Sequence, residues 1–192
     1  MLAILLSVSG LRAQQPLTKQ DSESLQRKLA AIEARGAQPP TNGATPLRTS
    51  MTEREVNAYF KYDGKNHLPT GVADPQITIA DNGQVEAKAI VDMDAVRKAQ
   101  SSVLLDLIAA VTGSVEVRAA GRLQAADGKG TLVIDHTSIG GIPVPKSVLQ
   151  SVITHYSKTP DLPDGFNLDK PFDLPAAIRS VETQRGTAVI IQ

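Results

Sequence analysis

Ser114-Val115-Glu116-Val117-Arg118-Ala119-Ala120-Gly121-Arg122-Leu123-Gln124-Ala125-Ala126 alternates apolar and polar residues with period two. In an extended chain Val115, Val117, Ala119, Gly121, Leu123 and Ala125 share one face, and Glu116, Arg118, Arg122 and Gln124 share the other. That pattern belongs to an antiparallel strand with one dry side and one wet side. At about 3.4 Å per residue the stretch would run roughly 44 Å, longer than an ordinary strand. It is therefore expected to curl or bulge, most easily at Ala119-Ala120-Gly121.

Working outward, Asp127-Gly128-Lys129-Gly130 turns the chain back into a partner strand through about Ile139. On the other side, residues 75–80 and 84–93 read as two strands around Asp81-Asn82-Gly83, with Val85, Ala87, Ala89, Val91 and Met93 on one face. Between these hairpins, residues 95–112 carry Val96, Val103, Leu104, Leu107, Ile108 and Val111 at helical spacing, capped by Asp92 or Asp94 and stopped by Gly113. A Gly/Pro elbow at 140–145 leads to a helix over 146–157 whose stripe is Val148, Leu149, Val152, Ile153 and Tyr156. After a Pro- and Asp-rich loop at 159–175, residues 178–183 and 187–192 read as a closing hairpin around Gln184-Arg185-Gly186. Upstream, Thr52 and Glu55 form a capping box that starts a helix over 52–62. Hairpins separated by helices predict an α+β fold, a curved antiparallel sheet of long strands and hairpins with helices packed on one face.

The first residues read as targeting. Leu2-Ala3-Ile4-Leu5-Leu6-Ser7-Val8 is a short apolar run followed by small residues, so 1–13 is expected to be a signal peptide ending at Ala13, too short to span a bilayer. Residues 14–50 follow as a short amphipathic helix and a linker. The helix covers 21–35, with Asp21-Ser22 as its cap, and the linker is rich in Pro and Gly. A single α+β domain is expected over 51–192. The expected location is periplasmic or secreted, with no transmembrane span.

The chain of 192 residues has 20 Lys+Arg against 20 Asp+Glu, no Cys, no Trp and only three Tyr and three Phe. Zero net charge and few aromatics argue against nucleic acid as partner. The absence of Cys excludes disulfides, thiolate metal sites and a cysteine nucleophile. Asp135, His136 and Ser138 contain triad ingredients, but in a regular strand Asp135 and His136 point to opposite faces, and there is no nucleophile elbow. His67, His136 and His155 lack the spacing of a zinc helix. Asp161, Asp164, Asn167, Asp169 and Asp173 do not follow a calcium-loop register and read better as turn and cap formers. No catalytic residue, metal or cofactor is expected, and the protein is not read as an enzyme.

The informative feature is the thin dry face of the sheet: positions 85, 87, 89, 115, 117, 119 and 121 carry only Val, Ala and Gly. Close helix-on-sheet packing would account for it, and so would a groove shared between helices and an apolar ligand. The groove or core candidates are Val56, Phe60, Leu104, Leu107, Ile108, Val148, Leu149, Val152 and Ile153.

Met51-Thr52-Glu53-Arg54-Glu55-Val56-Asn57-Ala58-Tyr59-Phe60 resembles the opening helix of small bacterial envelope proteins with the TULIP-type (tubular lipid-binding) fold. Residues 178–182 with 186–190 are similar to the closing hairpin of that group. The resemblance implies a long helix along a strongly curved antiparallel sheet, a lipid or acyl chain held between them, and no catalytic residues. The chain departs from the lipoprotein members in lacking a Cys anchor. The expected function is thus binding of a lipid or other hydrophobic ligand between helices and sheet; the alternative is a structural or protein-interaction module of the envelope that reaches an envelope protein partner through 14–50.

Overall fold

The computed structural model describes residues 15–38, 45–99, 111–160 and 162–192. The strand that decides the fold, β4 below, is continuous over Ser114–Ala126. The elements run in order α1 (Lys19–Gly36), β1 (Arg48–Thr52), α2 (Glu53–Tyr62), a 3-10 turn (Gly64–His67), β2 (Val72–Ile79), β3 (Gln84–Asp92), α3 (Met93–Ala99), β4 (Ser114–Ala126) and β5 (Lys129–Ile139). Then come β6 (Ile142–Pro143), α4 (Lys146–Tyr156), β7 (Phe172–Asp173), β8 (Ser180–Gln184) and β9 (Thr187–Ile191). The fold is α+β with antiparallel strands throughout the ladders.

Two sheets form rather than one. The larger has the order β2-β3-β4-β5-β6, with β7 added to β5; the smaller is β1-β9-β8. The closing hairpin therefore leaves the main sheet and pairs with β1, whose polar residues Arg48, Thr49 and Ser50 carry no apolar alternation that would mark a strand. A seam of main-chain hydrogen bonds joins the two sheets: Gly186 N donates to Ile79 O at 2.8 Å and Gly128 N to Arg179 O at 2.8 Å, while Glu53 N donates to Gly186 O at 2.8 Å. At this seam Gly83 N also donates to the Thr183 hydroxyl at 2.7 Å. Gly83 has φ +78°, and a Cβ there would lie 2.2 Å from Leu123 O, so only glycine fits.

The bulge beside Ala120 and Gly121 lies in the partner strand β5, while β4 itself gains no extra residue. The β4/β5 register shifts between Ala120, opposite His136, and Gly121, opposite Ile134, leaving Asp135 as the extra residue. A Cβ on Gly121 would come 2.5 Å from Val133 O, which explains the glycine at the bend. A second bulge interrupts β2 between Ala73 and Gln76, at Asp74 (φ 47°) and the donor-less Pro75.

α1 begins earlier than the spacing suggests. Thr18 caps it, accepting from Asp21 N while Asp21 accepts from Thr18 N, so Asp21 is the third helical residue of a capping box and not the cap itself. The helix packs on α2 and buries Ser22, Leu25 and Ile32. Its far end meets the C-terminal segment: a Cβ on Gly36 would lie 2.4 Å from the Ala176 backbone, and Gln192 Nε2 donates to Ile32 O at 2.8 Å and Ala176 O at 2.6 Å. Within the expected helix-and-linker segment, Lys19–Gly36 thus forms α1 of the packed body, and Arg48–Thr52, across its end, forms β1. α2 starts at its capping box on Thr52 and Glu55, as the sequence indicates. Of the helix expected over 95–112, α3 covers the start, residues 100–110 lie outside the described residues, and Val111 and Thr112 are not helical; α3 is capped by the Asp92 carboxylate, which accepts from Asp94 N and Ala95 N at 3.0 Å. Among the described residues, no helix is long and apolar enough to cross a membrane.

Candidate functional site: an apolar trough along the main sheet

The ladder registers assemble the face of the large sheet residue by residue. Ala89, Val117, Ile139 and Ile142 form one cross-strand row; Ile77, Ala87, Ala119 and Thr137 form the next; Ile79, Val85, Gly121 and Ile134 the third; and Leu123 stands opposite Leu132 beyond them. Small residues occupy the middle strands, β3 and β4, and larger ones stand on β2 and β5. The result is a trough along the strands with a low floor of Ala, Val and Gly and raised sides of Ile and Leu. From Val115 to Gly121 the floor runs roughly 20 Å at about 3.4 Å per residue. Half of a 30 Å bilayer core, about 15 Å, is the depth one acyl chain spans, so the floor is long enough for such a chain. Val85, Ala87, Ala89, Val91, Val115, Val117 and Ala119 are all half-buried.

The opposite face is charged and closed by its own pairs. Arg118 lies 2.5 Å from Glu116 and 3.7 Å from Glu86, and Arg122 lies 3.1 Å from Asp135. The hydrogen bond from Arg118 holds the Glu116 carboxyl below its usual range and raises the arginine's own pKa. A depression of about 220 Å³ on this side is lined by Thr78, Gln84, Glu86, Ala120 and Asp135 among others. It is open and smaller than an ordinary small-molecule site.

The bulge revises the reasoning on Asp135 and His136. As the extra residue, Asp135 reaches Arg122 on the polar face, the face that His136 shares by its register with Ala120. The two do not point apart, as a regular strand would require; yet no hydrogen bond joins Asp135, His136 and Ser138. His67 stacks on Tyr59 with ring centroids 6.5 Å apart. In the acidic loop, Asp169 pairs with Lys146 and Asp173 with Lys129, and Asn167 caps its own turn by accepting from Asp169 N at 2.8 Å. Among the described residues, no three His, Cys, Asp or Glu are grouped as metal ligands.

Of the nine groove or core candidates, Leu104, Leu107 and Ile108 lie outside the described residues. Val56 and Phe60 are half-buried on α2, which packs against β2; Phe60 borders the 3-10 turn, where a Cβ on Gly64 would lie 3.2 Å from its ring. Val148, Leu149, Val152 and Ile153 are half-buried on α4, beside β5. The two groups flank the trough from opposite margins, since β2 and β5 are three strand spacings, roughly 14 Å, apart. Among the described residues they do not form one cluster. α4 is in turn fastened to the following loop: Gln150 Oε1 accepts from Leu168 N at 2.7 Å, and Gln150 Nε2 donates to Phe166 O at 2.9 Å.

Sequence reasoning missed Ile77, Leu132, Ile134 and Thr137 on the trough face. The signal in β5 is weak: the larger Leu132 and Ile134 sit at even positions and Ile139 at an odd one, a parity slip that fits a bulge, but Val133 between them blurs it.

The polar residues of the helix at 52–57 all have structural partners. Thr52 and Glu55 cap each other, and Glu53 accepts from Ile79 N at 2.9 Å. Asn57 clasps the β2 edge, donating to Ile77 O at 2.8 Å and accepting from Ile77 N at 2.7 Å, as a neighbouring strand would. Glu55 also accepts from Ser24 at 2.6 Å and Lys28 at 2.7 Å on α1. Burial pushes the Glu55 carboxyl up, but the bonds from Lys28, Ser24 and Thr52 outweigh it and hold the group at about 2. No family model matches the chain, and no curated protein matches its sequence.

Proposed function

We propose that this is a non-catalytic protein of the periplasm or extracellular space that binds a lipid or other hydrophobic ligand along the apolar trough of its main sheet. The observation that carries this reading is the half-buried floor of Val and Ala between taller Ile and Leu margins. A floor filled by the described helices would be fully buried; a half-buried one leaves apolar area for a chain to cover, at about 0.8 kcal/mol per methylene removed from water. The resemblance of the 51–60 helix to TULIP-type envelope proteins points the same way. The other reading, an envelope interaction module, asks residues 14–50 to reach a partner. α1 instead buries Leu25 and Ile32 within this chain.

The test uses the purified full chain. Organic extracts analysed by mass spectrometry should yield acyl lipid, and a fluorescent acyl-chain probe should bind and be displaced by it. Ala119→Phe, at the centre of the floor, should block uptake while cooperative unfolding is retained. Repeated recovery of no lipid together with no displaceable probe would sink the reading, and so would full binding by Ala119→Phe.

A further inference from the structure

Among the ladder-paired residues of the trough face on β2 to β5, every side chain is hydrocarbon or absent except one. Thr137 lies opposite Ala119, in the row with Ala87 and Ile77. It is 6% exposed, and its Oγ1 is closed to solvent and has no hydrogen-bond partner. The main chain there is satisfied, since Thr137 O accepts from Val144 N at 2.9 Å. The hydroxyl alone is orphaned. Buried hydroxyls in folded proteins nearly always find a partner, and valine has almost the same shape without a polar group to satisfy.

The charges around it narrow what the partner is. Lys88, Arg118 and Arg122 all belong to the opposite face of the sheet, in cross-strand rows with Gln76 and Ser138 or with Gln84 and Val133. No cation of β2 to β5 stands on the trough face, so a carboxylate or phosphate carried there would be desolvated without a counter-charge. A neutral carbonyl oxygen accepts one hydrogen bond and needs none. We propose that Thr137 Oγ1 is the polar anchor of the trough and that the ligand is a neutral acyl ester whose carbonyl accepts its hydrogen bond, with the acyl chain over Ala119, Ala87 and Val117. This rests on the lipid-binding reading above and adds the ligand's chemistry to it. Binding at this hydroxyl, which is closed to solvent, requires the groups covering it to move aside.

The experiment compares methyl palmitate, ionised palmitate and hexadecane as competitors of a fluorescent acyl-chain probe, on the full chain and on Thr137→Val and Thr137→Ser. The unaltered chain should bind methyl palmitate about five- to tenfold more tightly than hexadecane, the worth of one neutral hydrogen bond, and more tightly than palmitate. Thr137→Val should erase the ester preference while unfolding at or above the wild-type midpoint, and Thr137→Ser should keep it. Equal affinity for ester and hydrocarbon, tighter binding of ionised palmitate, or an ester preference surviving in Thr137→Val would overturn the anchor and leave lipid binding standing. Failure of every competitor and of the probe itself would instead remove both.

Discussion

Replacing Glu55 with Gln strikes the joint between α1 and α2. The Glu55 side chain is 10% exposed, and its two oxygens receive Lys28 at 2.7 and 2.8 Å, Ser24 at 2.6 Å, and Thr52 N at 2.8 Å. Glutamine keeps one acceptor oxygen and turns an amide against donors, so one cluster of bonds is lost whichever way it lies. Lys28 is 31% exposed and can regain water, which keeps the cost below that of a fully buried broken pair, at about 2–3 kcal/mol. The pH dependence is more specific. The folded pKa of about 2 lies below the ordinary 4.5, so the contribution is fully present above about pH 5 and fades as pH falls toward 2. Linkage between those two values gives a loss of about 2 kcal/mol on going from pH 7 to pH 3. Urea unfolding at both pH values should therefore show a gap between wild type and Glu55→Gln that is large at pH 7 and shrinks by about that amount at pH 3. Asp21, held at about 2 chiefly by Arg54 and Thr18, titrates in both proteins and cancels in the comparison. If the two proteins lose stability in parallel between pH 5 and pH 3, Glu55 is not the depressed carboxylate and the joint is misassigned.

Three further perturbations test the frame. Asn57→Ala removes both bonds to Ile77 and reopens the β2 edge; it should cost about 1–3 kcal/mol in urea unfolding and raise light scattering on heating, and an unchanged midpoint would mean the clasp is idle. Gly121→Ala drives a methyl toward Val133 O and should cost about 1–3 kcal/mol, whereas a neutral result would show that the bulge gives way. Deleting 186–192 removes the central strand of the small sheet and leaves both β1 and β8 unpaired. Cooperative melting should disappear, and a normal transition in calorimetry would contradict the role given to β9.

The elements legible in the sequence were those whose apolar pattern and end signals agreed. β4 over 114–126, the capping box at Thr52 and Glu55, and the hairpin at Asp81-Asn82-Gly83 each carried both kinds of signal. β1 carried neither: Arg48, Thr49 and Ser50 become a strand only because β9 offers a ladder, a tertiary cause invisible to local pattern. The division into two sheets was hidden for the same reason, since the seam at Gly186, Ile79 and Gly128 is built from main-chain groups common to every sequence. The site was half legible. The small residues of β3 and β4 gave the floor directly, but the margins depended on the Asp135 bulge, which shifts Thr137 and Ile139 onto the face that Leu132 and Ile134 occupy.

What the motif at 51–60 can and cannot carry follows from where its polar atoms go. Thr52, Glu53, Glu55 and Asn57 are all engaged with the helix's own cap, with α1, or with the β2 backbone. Any chain that must start a helix beside an exposed strand edge and dock a second helix on it needs those groups, whatever it binds. A resemblance resting on that motif is therefore informative about architecture, and the argument for a ligand has to come from residues the architecture does not require. The floor of the trough supplies them. Stability would favour larger side chains than Ala87 and Ala119 if the helices alone were to fill the space, and Val in place of Thr137. Under the proposed reading, Ala87, Ala119 and Thr137 are the positions an acyl ester would cover.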